Sequence, residues 1–108
     1  MELQFNKNGN YYIAEFSVAG DFNIHIEKSR GEVWVEQKTI PDGRFDSANS
    51  INIPTADEVW DFDIPVLVAP KYIRIKSEVL PTKAVVTFPS DVQTAIDESI
   101  VSNLNTPV

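Results

Sequence analysis

The chain has 108 residues, with 9 Lys and Arg against 16 Asp and Glu, a formal net charge of −7 at pH 7, 43% hydrophobic residues and no cysteine. One hydrophobic core is expected at this length, and the composition is that of an ordinary soluble globular domain. Disulfides, thiolate metal ligands and a Cys nucleophile are excluded, and a surface this acidic does not suit nucleic acid, where counterion release needs Lys and Arg.

A period of two governs the chain as far as Phe88, the pattern of strands with one buried face. Leu3 and Phe5 alternate with polar neighbours, and Asn8-Gly9 supplies a pair that tolerates positive φ in a tight hairpin. From Tyr11 to Ala19, Tyr12, Ala14, Phe16 and Val18 share one face and Tyr11, Ile13, Glu15 and Ser17 the other. After Gly20-Asp21, Phe22, Ile24 and Ile26 point one way while Asn23, His25 and Glu27 point the other. A hairpin tip at Ser29-Arg30-Gly31 leads into a strand in which Val33 and Val35 oppose Trp34 and Glu36.

Ile40-Pro41-Asp42-Gly43-Arg44 reads as a strong turn, with proline setting φ at its second position. The polar run from Phe45 reads as a loop before a short strand at Ser50-Ile51-Asn52-Ile53, which Pro54 ends. Trp60, Phe62 and Ile64 then alternate with Asp61 and Asp63, which are expected on the wet face. Pro65 and Pro70 bracket Val66-Leu67-Val68 as a bent or edge segment. Ile73 and Ile75 face inward on the next strand, and Ala84, Val86 and Phe88 share one face of the last, against Lys83, Val85 and Thr87. About eight strands at short spacing predict an all-β fold, an antiparallel β-sandwich or jelly roll, over residues 1–89.

After Pro89 the period changes. Ser90 to Gln93 has the form of a capping box. Val92, Ile96, Ile100 and Leu104 then recur every four residues, which predicts a short amphipathic helix over 90–105 and a tail at 106–108. That stripe either folds back on its own sheet or binds a partner, because an apolar stripe needs cover.

Little in the sequence carries chemistry. The single histidine, His25, reads as a surface residue with no structural partner, and no nucleophile, acid and base are brought together by spacing, so no enzyme activity is expected. Asp57, Glu58, Asp61 and Asp63 could supply oxygen ligands to Ca²⁺, but they lack the spacing of a dedicated loop and read as a solvated acidic face. No metal or cofactor is expected. Tyr11, Trp34 and Tyr72 sit out of phase with the aliphatic residues of their strands: they form either an exposed aromatic platform, for a sugar or a protein interface, or part of the core. No run approaches the roughly 20 apolar residues of a membrane span, and Met1-Glu2-Leu3-Gln4-Phe5 has no signal-peptide character.

The run from Phe16 to Ser29 through Trp34, with Tyr72-Ile73-Arg74-Ile75-Lys76-Ser77 and Ala84-Val85-Val86-Thr87-Phe88, resembles the small β-sandwich modules of tailed-phage virion proteins. The likeness lies in an apolar strand, a Gly-x-aromatic step, a charged residue followed by Ser at a strand end, a Trp after the hairpin and a late Tyr-Ile-Arg strand. It covers most of residues 10–88 and departs at the insertion from Asp42 to Pro54 and at the C-terminal helix. It implies a non-catalytic capsid decoration, head-auxiliary or head-fibre component, made in the host cytoplasm and carried in the virion. Its implied partners are other virion proteins of capsid or tail, and it implies a homo-oligomer, a trimer by preference. A carbohydrate-binding module using the aromatics is the alternative reading.

Overall fold

The computed structural model describes residues 1–89; the predicted helix, with Val92, Ile96, Ile100 and Leu104, lies outside the described residues. Eight strands follow one another: β1 (Asn6–Asn8), β2 (Tyr11–Val18), β3 (Phe22–Glu27), β4 (Val33–Lys38), β5 (Asp46–Ile53), β6 (Val59–Ile64), β7 (Lys71–Ser77) and β8 (Lys83–Thr87). They form two antiparallel sheets, in the orders β1-β2-β7-β4-β5 and β6-β3-β8. The domain is an all-β sandwich, as the alternation predicts. Glu2 forms a bridge to Val85 on the free side of β8, and the Leu3 amide donates to the Ala84 carbonyl at 2.9 Å. Counting that N-terminal segment as a strand and setting aside the short β1, which pairs with β2 alone, successive strands alternate between the sheets except at the β4–β5 hairpin, which is jelly-roll order.

The core is the set of inward residues read from period two. Ile24, Ile26, Val33, Ile53, Ile75 and Val86 are fully buried, and Val18, Phe22, Val35, Ile73 and Ala84 nearly so. Burying each large aliphatic side chain contributes roughly 1.5–3 kcal/mol, which for this cysteine-free chain is the main stabilising term. Leu3, Phe5, Phe16, Trp60, Ile64, Val66 and Phe88 pack around its margin.

The local turn chemistry is also as expected. The β1–β2 hairpin closes with Asn8 opposite Tyr11, and Gly9 has φ +63. It is the one position in that loop with positive φ, as a type II′ turn requires of its first central residue.

Three local expectations are corrected. The first strand is Asn6–Asn8, whereas Leu3 and Phe5 precede it and pack on the core margin. The run after Phe45 is strand, since β5 starts at Asp46: a bulge between Val35 and Gln37 lets the chain pair again, Gln37 with Asp46, past the Ile51 and Ile53 register. Its polar residues fooled the pattern because it is an edge strand, exposed along most of its length. Phe62 shares the inward side with its neighbour Ile24, yet is 55% exposed, because β6 is also an edge strand.

Candidate functional site

The outer face of the five-stranded sheet is built by the out-of-phase residues of its three middle strands. Cross-strand register sets Trp34 beside Lys76, Glu36 beside Arg74 and Lys38 beside Tyr72, while Ile13 meets Lys76, Glu15 meets Arg74 and Ser17 meets Tyr72 on the β2 side. Aromatic and cationic side chains interleave. The Lys76 ammonium lies 4.7 Å from the Tyr11 ring centre and 5.1 Å from that of Trp34, and those two rings meet edge to face at 5.9 Å. One step along, the Lys38 ammonium and the Arg74 guanidinium lie 4.6 and 4.5 Å from the Phe45 ring, and Lys38 is 5.8 Å from Tyr72. Cations over ring faces are stabilised by the ring quadrupole.

The ladder is anchored by a buried charge. Glu36 is 1% exposed although it belongs to the outer face, because the chain entering β5 covers it. The Arg74 Nε donates to Glu36 Oε1 at 2.8 Å, and the Ser47 hydroxyl donates to Oε2. Burial pushes the Glu36 carboxyl up, but the hydrogen bonds from Arg74 and Ser47 and the charges of Arg74 and Lys76 outweigh it and hold the group below its ordinary value. Lys38 donates to the Pro41 carbonyl at 2.8 Å and the Gly43 carbonyl at 3.1 Å, which fixes the β4–β5 turn over the same face.

The structure therefore brings Tyr11 and Trp34 into direct contact and places Tyr72 farther along the same sheet face. All three are half-buried, and Lys76 already lies against the rings of Tyr11 and Trp34. Lys38, Phe45, Arg74 and Lys76 complete the face. Sequence reasoning missed them, although the Tyr-x-Arg-x-Lys spacing of Tyr72, Arg74 and Lys76 in β7, out of phase with Ile73 and Ile75, is the signal that places cations between the aromatics.

The outer face of the other sheet overturns the expectation for His25. Its Nδ1 lies 2.8 Å from Asp61 Oδ2 and its Nε2 2.7 Å from Glu27 Oε2, because β3–β6 pairing sets His25 opposite Asp61 and Glu27 is two residues along the same face. Hydrogen bonds to Glu27 and then Asp61 raise its pKa above the ordinary 6.5, and the imidazolium, donating from both nitrogens, is the form this geometry favours. Asn23 donates to Asp61 at 2.7 Å and to Asp63 at 2.9 Å. That hydrogen bond, with the one from His25, holds Asp61 below its ordinary value. The two aspartates are thus turned along the sheet toward Asn23 and His25. Among the described residues no three His, Asp or Glu side chains converge as metal ligands. A buried Lys28 ties this sheet to the β5–β6 connection, donating to the carbonyls of Pro54 at 3.1 Å and Thr55 at 3.4 Å.

No family model, no curated protein and no solved structure matches this chain.

Proposed function

We propose that the domain is a non-catalytic structural component of a tailed-phage virion, a capsid auxiliary, decoration or head-fibre part that binds other virion proteins and forms a homo-oligomer, a trimer by preference. The observation that carries the binding role is the Tyr11–Lys76–Trp34 and Lys38–Phe45–Arg74 ladder, a flat, side-chain-ordered face held in place by the buried Glu36. Aromatic and Arg side chains on a preordered surface are what protein interfaces use as anchors, and rings already fixed by neighbours lose little entropy on docking. Double-sheet jelly rolls serve in viral capsids and in lectins alike, so the fold is compatible with this role without assigning it. The virion setting rests on the strand-and-turn resemblance described above.

Light scattering on the full chain tests the assembly: the expected mass is about 36 kDa, three times the 12.1 kDa of one chain. Antibodies raised against the domain are expected to label intact particles of a phage that encodes it. A monomer at every concentration, together with unlabelled particles, overturns the proposal. The second reading, a carbohydrate-binding module, draws on the gathering of Tyr11, Trp34 and Tyr72 on one sheet face. A glycan array in which binding appears and is lost in Trp34→Ala selects it over the first.

A further inference from the structure

The free edge of β6, on the sheet opposite the ladder, points to a second binding mode that does not depend on the proposal above. We infer that β6 accepts an extended strand from another protein, one whose side chains alternate between Lys or Arg and large apolar residues.

Among the described residues β6 pairs with β3 on one side and with no strand on the other. The remaining edge of that sheet, β8, is treated differently, since Glu2 bridges to Val85 and Met1 and Leu3 hydrogen-bond to Val86 and Ala84 across it. An open edge offers a row of backbone donors and acceptors to an incoming strand. On one side of β6 stand Asp61 and Asp63, with Asp57 and Glu58 just before the strand. On the other side, Phe62 is 55% exposed and stacks on Trp60 with ring centres 4.7 Å apart. Ile51 on the facing edge β5 is 41% exposed, and the mouth between the two edges leads to a cavity of about 150 Å³ lined by Phe22, Val35, Ile51, Ile64 and Ile73 among others.

Charge alone is the ordinary protection of a sheet edge. An exposed phenyl ring stacked on a tryptophan protects nothing; it adds apolar surface that an incoming side chain can cover. The two sides of β6 together therefore describe a partner strand, basic on one face and apolar on the other.

The same charges disfavour the two occupants that this chain could supply. Closed two-fold pairing of β6 with a second copy is antiparallel, and opposite residues point to the same side. Every register that pairs at least four residues of β6 and keeps Trp60 and Phe62 on the apolar side then sets Asp61 across from Asp61 or Asp63, and like charges directly opposite are destabilising. Residues 90–108 carry Asp91, Asp97 and Glu98 with no Lys or Arg, so they too would bring negative charge to a negative edge.

The test is a titration of the isotope-labelled full chain with a synthetic seven-residue peptide of sequence Lys-Ile-Lys-Phe-Lys-Ile-Lys, capped at both ends, read by amide NMR. Shifts and slowed amide exchange are expected at Val59–Ile64. Affinity is expected to fall about tenfold or more when salt is raised from about 50 to about 500 mM, and by a similar factor in Phe62→Ala, an exposed position whose spectrum also reports that the fold is intact. Asp63→Asn provides a second variant with the same direction of effect. The peptide with Glu in place of Lys is expected to leave β6 unshifted. The inference is overturned if the basic peptide leaves β6 unchanged, if the acidic peptide binds equally well, or if the β6 edge amides of the free chain are already protected, at high concentration only (a second copy) or at all concentrations (residues 90–108). The titration reads β6, whereas light scattering and particle labelling read assembly, so either proposal can fail alone.

Discussion

Arg74→Ala should cost far more than an exposed ion pair is worth, because the charge it leaves behind is the buried one. Glu36 is 1% exposed and Arg74 is its guanidinium partner at 2.8 Å. Removing one member of a buried pair typically costs 3–5 kcal/mol, most of it the penalty on the abandoned charge. The Arg74 side chain is itself 26% exposed, so water entering its place recovers part of that penalty. The lost contact with Phe45 adds roughly 0.5–1 kcal/mol, for a total of about 3 kcal/mol at pH 7. At this chain length the loss corresponds to a melting temperature lowered by roughly 12–20 °C.

The pH dependence of that loss identifies its cause. In the native protein the Glu36 pKa is held below its ordinary value of 4.5, so its contribution to stability is present above about pH 4.5 and disappears as pH falls through the folded pKa. In Arg74→Ala the burial remains while both contributions of Arg74, its hydrogen bond and its charge, are gone and the Ser47 hydrogen bond and Lys76 charge stay, so the folded pKa is expected to rise toward or above the ordinary value and acidification to relieve the penalty. The gap between the two proteins should therefore be widest near neutrality and close as pH falls through the ordinary carboxylate range. Urea denaturation followed by tryptophan fluorescence at pH 7 and pH 4 measures both terms. A loss under about 1 kcal/mol at pH 7, or one equal at both pH values, refutes the account.

The His25 clamp predicts the opposite slope on the other sheet. Its raised pKa makes a stabilising contribution that is complete below about pH 6.5 and is lost as pH rises through the folded pKa; melting curves from pH 6 to 9 should show a decline that His25→Gln removes, and an unchanged slope in the variant would assign the decline to other groups. Gly31→Ala would set a Cβ 2.7 and 2.9 Å from the two γ-methyls of Val79, a clash expected to cost about 1–3 kcal/mol. Adding Val79→Ala should recover part of that loss in denaturation experiments, and no recovery would place the strain in the backbone. Ile75→Ala, at a fully buried position in the middle of the sandwich, should cost about 2–5 kcal/mol. Leu67→Ala, at 97% exposure, should fall within about 0.5 kcal/mol of the native protein, and comparable losses at the two sites would contradict the core assignment.

Much of this molecule was legible from alternation alone. Ile24, Ile26, Val33, Val35, Ile73, Ile75, Ala84 and Val86 are core because side chains on a strand point to opposite faces in turn, a rule that needs no knowledge of neighbours. Gly9 takes its positive φ from local sterics for the same reason. Alternation also set Tyr11, Trp34 and Tyr72 out of phase with the aliphatic residues of their strands, but left open whether that phase was platform or core; the pairing of β2, β7 and β4 decided it. Strand pairing decided everything that depends on which strands are adjacent. His25 looked partnerless because Asp61 is 36 residues away in sequence and becomes its neighbour only when β3 pairs with β6. Glu36 has the outward phase of an exposed residue but is buried, because the extra residues of β5 at the register shift, Ser47 among them, reach it and Arg74 arrives from β7. Phe62 has the inward phase of a core residue but is exposed, because β6 ended up at an edge. Period two determines the face a side chain takes, a property of the local backbone; whether that face is covered, paired or open is a property of sheet order, and only the tertiary structure decides it.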